Sequence, residues 1–298
     1  DTLGLTPEYP TIATALGKQG YQSACIGKWH LGCTAEHFPT RNGFDHFMGL
    51  LVSNDMDPLH LYEDEKVIDR EVDQATLTRR YTDRAIDFIR NRGSDPFFCY
   101  LAHTMPHIPL HVEPEFRGVS LGGLYGDTVE CIDHHLGRLL DVLEEEGIAE
   151  ETLVIVTSDN GPWFEGSAGP LRGGKFEVYE GGVRVPFVAR WPQVIESGTV
   201  WDGPVSFRDM FPTLYRFAGG DPTDYTCDGV DITPCFQGKP TEFEYPPLFY
   251  YFNDSLNAVR KGKWKLHVGR FARSALDTKE MPQLFDLEID EGERYSLA

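Results

Sequence analysis

The chain has 298 residues, with 27 Lys plus Arg against 47 Asp plus Glu and a formal net charge of −20. Hydrophobic residues make up 41% and charged residues 25%, which excludes a disordered chain and suits one or two domains with a sizeable core. The acidic balance argues against nucleic acid and anionic membrane surfaces as general partners, and no apolar run approaches the ~20 residues of a membrane span.

In chain order, Pro10 to Leu16 reads as a helix with Gly20 just past its end, and Tyr21 to Ile26 as a strand. Leu77, Tyr81, Ala85, Phe88 and Ile89 recur at helical spacing and Gly93 closes that helix. Pro96 to Ala102 is a short apolar run, expected to be a buried strand. Leu124, Ile132, Leu136, Leu139, Leu140 and Leu143 mark a long amphipathic helix ending at Gly147. Thr152 to Thr157 and Val185 to Trp191 read as further buried strands. This β/α alternation predicts an α/β fold with a mostly parallel central sheet flanked by helices.

After about Gly220 the character changes. Asp221 to Pro247 is rich in Pro, Asp, Thr and Gly and reads as irregular connection. Phe249 to Phe252, Ala258 to Val268 and Leu284 to Leu287 then read as strands, with Lys261-Gly262 as a hairpin turn. The expected division is 1–240 for the α/β domain and 241–298 for a small antiparallel C-terminal subdomain. None of the six cysteines forms a CxxC motif, so a zinc ribbon is not expected. Cys25 and Cys99 read as buried small hydrophobes, and Cys227 and Cys235 lie in a loop-like stretch where a pairing is open.

Ligands of an open α/β sheet bind beyond the carboxyl ends of the strands. The first strand delivers Lys28 and His30 between Gly27 and Gly32. The strand ending at Ala102 delivers His103 and His107, the latter held between Pro106 and Pro109. His103 reads equally well as a structural histidine, and His134 and His135 point to different helix faces and receive no metal role. The strand ending at Thr157 delivers Asp159 and Asn160, oxygen donors suited to a hard cation, although an Asx-type turn is the bland alternative. Gly166 to Lys175 is a glycine-rich loop with two cations that does not match a P-loop, because Phe176 follows Lys175. Together these strand ends suit a doubly charged tetrahedral oxyanion, and hence transfer or hydrolysis of a sulfate or phosphate ester.

Gly27-Lys28-Trp29-His30-Leu31-Gly32, Thr157 to Pro162, Gly169 to Lys175 and Tyr179 to Pro186 resemble the signature blocks of the formylglycine-dependent sulfatases, nearest the arylsulfatase A-like branch of the alkaline phosphatase superfamily. Asp209 to Leu214, Asp228 to Pro234, Ala258 to Leu266 and Leu284 to Asp290 extend the resemblance over nearly the whole chain. The resemblance implies Asp159 and Asn160 as metal ligands, for Ca²⁺ ahead of Mg²⁺. It implies Lys28 as a contact to nucleophile and sulfate, and His30 as the base that releases sulfate from the nucleophile. His107 and Lys175 match the pair that holds the sulfate and assists the departing alcohol. Arg172 and Arg184 have no catalytic counterpart and are expected to support loops.

The family nucleophile comes from a Cys- or Ser-x-Pro-x-Arg motif, and no such run occurs in this sequence. The resemblance therefore implies an N-terminally truncated member lacking the nucleophile, its partner arginine, two metal ligands and at least one strand, expected to be inactive alone. It further implies a sulfate-ester substrate (aryl sulfate, sulfated sugar or sulfolipid), a formylglycine-generating enzyme as partner of the complete protein, and a periplasmic or secreted location. Two other readings stay open: a phosphodiesterase or phosphonate monoester hydrolase of the same superfamily, and a non-catalytic relative that binds sulfate esters.

Overall fold

The computed structural model describes residues 3–238, 244–269 and 281–298. In chain order its elements are α1 (Ile12–Gly17), β1 (Gln22–Lys28), β2 (His46–Leu50), β3 (Leu61–Glu63), β4 (Lys66–Asp69), α2 (Leu77–Asn91), β5 (Phe97–Ala102), α3 (Gly123–Glu145), β6 (Val154–Thr157), α4 (Glu180–Val183), β7 (Phe187–Arg190), α5 (Met210–Phe217), α6 (Thr233–Phe236), β8 (Leu248–Phe252), β9 (Ser255–Lys261), β10 (Trp264–His267) and β11 (Gln283–Asp286). The chain forms two compact units, one of residues Asp1–Glu150 with Phe207–Thr233, the other of Glu151–Ser206 with Pro234–Ala298. The boundary expected at 240/241 lies outside the described residues.

The first unit is built on a five-stranded sheet in the order β4-β3-β2-β1-β5. Its centre is parallel, β1 pairing with both β2 and β5, and β3 and β4 add an antiparallel extension at one edge. Side chains alternate across a strand, so β1 and β2 supply two cores. Ala24, Ile26, Met48 and Leu50 pack with Leu77, Tyr81, Ala85 and Phe88 of α2. Cys25 and Phe47 face the other way and pack with Ala13 of α1, Trp29, Phe38 and Phe44. α1 begins at Ile12, not Pro10, and Thr11 caps it, its hydroxyl accepting the Thr14 N–H at 3.1 Å. The run at Phe97 to Ala102 is a sheet edge and not a fully buried strand: Tyr100 is 48% exposed.

In the second unit β6 pairs antiparallel with β7. Both were expected to be buried, yet Val156 and Val188 are exposed, because among the described residues this ribbon has no further strand beside it. The C-terminal sheet is antiparallel throughout, in the order β11-β10-β9-β8. The hairpin expected at Lys261-Gly262 is present, with Gly262 at φ +56° and Lys261 paired with Trp264. Cys227 is a free, exposed thiol, so the pairing with Cys235 is not made. Among the described residues no helix is long and apolar enough to cross a membrane.

Candidate active site

In the first unit, Lys28 is the last residue of β1 and lies opposite Leu50 of β2. The chain stays laddered beyond it: Trp29 N–H donates to Leu50 O at 2.8 Å and His30 N–H to Leu51 O at 3.2 Å. The Trp29 indole is buried and donates to His37 O at 2.8 Å, which anchors the turn from inside. His30 is exposed with φ +53°, a left-handed conformation uncommon for a residue with a Cβ and enriched at functional sites. Gly27, at the other end of this turn, is required by a close backbone approach. A Cβ on Gly27 would sit 1.9 Å from Ala102 O of the neighbouring strand.

His107 follows β5 and is half-buried. Its Nδ1 lies 2.7 Å from Ile108 O and 3.1 Å from Asn54 Oδ1. A carbonyl only accepts, so Nδ1 carries the proton and Nε2 is the basic nitrogen. Asn54 is itself fixed, its amide donating to Gln74 Oε1 at 3.0 Å and Pro109 O at 3.3 Å. The next residue, Asp55, is held below the usual carboxylate range, chiefly by the adjacent Ser53 side chain, with the charges of His107 and Lys28 adding to the effect. The structure thus brings Lys28 and His107 within electrostatic reach of one carboxylate. Sequence reasoning reaches Asn54 and Asp55 only as part of the segment Phe38 to Arg70, which is expected to shape the substrate pocket. The only signal was their place in a polar stretch after an unpredicted strand, β2.

His103 differs. Its Nδ1 is buried with no hydrogen-bond partner among the described residues, and burial, with the nearby His135 adding, pushes its pKa down to about 4. His135 belongs to a buried cluster. Its Nε2 lies 2.8 Å from Glu113 Oε2, and Cys131 Sγ lies 3.7 Å from the same oxygen. These three side chains offer metal-ligand atoms within 4.8 Å of one another. Two arginines already engage them: Arg79 donates to Glu113 Oε1 at 2.7 Å and Arg138 to His135 Nδ1 at 2.9 Å. Arginine cannot accept, so His135 carries its proton on Nε2 and donates it to Glu113. The cluster is therefore a satisfied hydrogen-bond relay between α2, α3 and the Glu113 loop.

In the second unit, Asp159 and Asn160 follow β6, with Asp159 exposed and the Ser158 hydroxyl donating to Asn160 O at 3.0 Å. Lys175 N–H donates to Pro162 O at 2.9 Å and Gly161 N–H to Gly182 O at 2.9 Å. These two bonds bring the Asp159-Asn160 turn, the Lys175 segment and α4 together. The approach at α4 admits only glycine, since a Cβ on Gly161 would lie 1.9 Å from Gly181 O. Oxygen donors on an exposed turn beside a lysine fit a hard divalent cation and a bound oxyanion.

Beneath this loop lies a buried charged cluster. Lys265 Nζ is 2.8 Å from Glu180 Oε1 and 3.3 Å from Glu293 Oε1, and His267 Nε2 is 2.6 Å from Glu293 Oε1. Arg260 reaches Glu180 Oε2 at 3.3 Å. Glu293 Oε2 accepts the Glu180 N–H, and Glu293 O accepts from Arg172 at 3.2 Å. Burial alone would raise the Glu293 pKa; the His267 hydrogen bond and the Lys265 charge outweigh it and hold the carboxyl below its ordinary value. Arg172 also lies 3.9 Å over the Tyr179 ring, in keeping with the loop-supporting part expected of it. Arg184 pairs with Glu291 at 3.5 Å on the surface. The sequence had marked the segments around Glu180 and Lys265 without showing that they meet.

The Sulfatase family model matches residues 4–220. The chain is 33% identical over 405 residues to mouse steryl-sulfatase, covering 99% of this chain and 65% of that protein. It is 33% identical over 332 residues to mouse N-acetylgalactosamine-6-sulfatase, covering 95% and 63%. The chain thus spans a little under two thirds of the length of these relatives. Among solved structures, the PsFucS1 sulfatase from Pseudoalteromonas sp. superposes with a TM-score of 0.85 at 25% identity, covering 100% of this chain and 70% of the other. From the match along its length and the shared architecture, the chain belongs to the Sulfatase family.

Proposed function

We propose that this chain carries most of the active site of a sulfuric ester hydrolase of arylsulfatase type. The observation that supports it most directly is the Lys175 N–H to Pro162 O bond, which brings the Lys175 segment beside the Asp159-Asn160 turn. Lys28, His30 and His107 of the first unit end or follow parallel strands and match further sulfate-ester residues of the family. Asp159 and Asn160 would hold a hard divalent cation, Ca²⁺ ahead of Mg²⁺, which supplies positive charge for the sulfate oxygens. A formylglycine made by a formylglycine-generating enzyme would supply the attacking oxygen, and none of these 298 residues lies in the motif that forms it. Lys175 holds the sulfate. His107, with Nδ1–H committed to Ile108 O, presents Nε2 to the ester oxygen and, as the imidazolium, gives the Nε2 proton to the departing alcohol. His30 takes up the proton when sulfate is released, and Lys28 orients the oxyanion. The family resemblance also supports an exported enzyme, in the periplasm or secreted.

The test is sulfate release from aryl and sugar sulfates by the protein expressed from its complete reading frame with a formylglycine-generating enzyme. Turnover that falls in His107→Ala and Lys175→Ala is expected. A preference for phosphate diesters or phosphonates, or tight ester binding without turnover, would overturn the proposal.

A further inference from the structure

From the Asp159-Asn160 turn to the residue after Lys175 the chain carries three aromatic residues, Trp163, Phe164 and Phe176, that the fold does not use as core. Phe164 is 75% exposed and Phe176 is 55% exposed. The bond from Lys175 N–H to Pro162 O draws their segments together. The Trp163 ring then lies 4.9 Å from Phe164 at 61° and 5.8 Å from Phe176 at 89°. Lys175 Nζ lies 5.5 Å from the Phe176 ring centroid. The result is an angled aromatic corner beside the lysine proposed to hold the sulfate.

Phe176 has φ +76°, a left-handed conformation that glycine adopts without cost and an aromatic residue does not. The chain uses glycine nearby for this purpose, at Gly173 with φ +82°. An exposed ring recovers little burial energy to offset the strain, so folding alone gives no reason for a phenylalanine here. Strain of this kind is characteristic of ligand clamps.

Charge narrows the ligand. The chain carries 27 basic against 47 acidic residues, which opposes a polyanion. Near the corner, Arg172 is turned to Glu293 O and the Tyr179 ring, while Glu165 is exposed. Arg172 is thus engaged elsewhere and the exposed Glu165 opposes a second sulfate at the corner. We infer that Trp163, Phe164 and Phe176 form a subsite for the alcohol portion of a monosulfate ester whose alcohol is an uncharged aryl or fused-ring system. The inference deepens the sulfate-ester reading above and rests on it for the position of the sulfate.

The experiment measures binding of 2-naphthol, the uncharged product alcohol, by calorimetry, and turnover of 2-naphthyl sulfate, a hexose monosulfate and a polysulfated oligosaccharide. It uses the protein from its complete reading frame and the variants Phe176→Gly, Phe164→Ser and the pair. Phe176→Gly relieves the backbone strain, and a thermal midpoint that does not fall in this variant separates loss of the ring from misfolding. Naphthol binding about tenfold weaker in each single variant, with KM for naphthyl sulfate raised to match, is expected. Binding and KM indifferent to all three variants, no naphthol binding in the parent, or a parent preference for the polysulfated substrate would overturn the subsite. Naphthol binding that responds to the variants without turnover of any ester would leave the subsite standing and sink the hydrolase reading instead.

Discussion

Lys265 and Glu180 form an ion pair that water does not reach: Nζ and Oε1 are 2.8 Å apart, and the two side chains are 0% and 2% exposed. Glu180 opens α4, whose Gly181 and Gly182 hydrogen-bond to Arg172 O and from Gly161 N–H. The C-terminal sheet therefore grips the turn that bears Asp159 and Asn160 and the loop that bears Lys175. Replacing a buried ion pair by apolar groups is often neutral or stabilising, so stability alone does not explain it. Our hypothesis is that the pair fixes one geometry for α4 and, through it, for both loops.

Removing one partner tests this. Lys265→Met leaves Glu180 and Glu293 facing each other in the interior, and should cost about 3–5 kcal/mol in urea unfolding. Lys265→Met with Glu180→Gln should recover a substantial part of the loss, because the stranded charge goes too. If the double variant is as unstable as the sum of the singles, the two residues do not act as a pair.

Stability should fall as the pH drops from 6.5 towards 4. His103 is buried, and its folded pKa of about 4 lies below the ordinary histidine value near 6.5. The unfolded chain binds that proton more readily, so the contribution is full above about pH 6.5 and is lost as pH falls through the folded value. His103→Gln should flatten this part of the profile. Glu293, also depressed, acts lower: its contribution is present above about pH 4.3 and is lost below. A pH 7 to 5 slope unchanged in His103→Gln would refute the assignment.

Much of the fold was legible because periodicity reports burial. The spacing of Leu77, Tyr81, Ala85 and Phe88 marks the helix face that covers the sheet. It failed where burial is polar. In β10 the inward positions are Lys265 and His267 while Trp264 is exposed, so the pattern inverts, and only the buried carboxylates opposite explain it. β2 was missed because its strand residues run into a polar turn at Ser53 to Asp55. Motif spacing located Lys28, His30, His107, Asp159, Asn160 and Lys175 at strand ends or on the loops that follow them. It held no information on Asn54, which orients His107 through a contact 53 residues away in sequence.

Gly27 should be irreplaceable for a steric reason. A Cβ there would meet Ala102 O at 1.9 Å and Ala102 C at 2.6 Å, and φ is +113°. Gly27→Ala should destabilise by at least about 2–3 kcal/mol through strain and overpacking of β1 against β5. Gly93→Ala is the control, with φ +69° but open space around it, and should cost only about 1 kcal/mol. Equal costs by urea unfolding would mean that the β1–β5 contact relaxes and does not fix the Lys28-His30 turn.

His107 should matter in proportion to how badly the leaving alcohol needs a proton. Its Nδ1–H is held by Ile108 O, so Nε2 is the nitrogen that exchanges protons. A general acid of this kind contributes roughly 10²- to 10⁴-fold. For an alkyl or sugar sulfate, whose alkoxide is strongly basic, His107→Ala should lower kcat by about that factor. For 4-nitrophenyl sulfate, whose phenolate leaves unaided, the loss should be tenfold or less on the same argument. Asn54→Ala should reproduce a weaker form of the pattern and shift the basic limb of the kcat profile, where a general acid loses its proton, because it loosens the ring without removing it. The measurement is the dependence of log kcat on leaving-group pKa in parent and variants. A steeper slope in His107→Ala assigns the proton to His107, while parallel lines would leave it holding the sulfate and pass the general-acid part to Lys175.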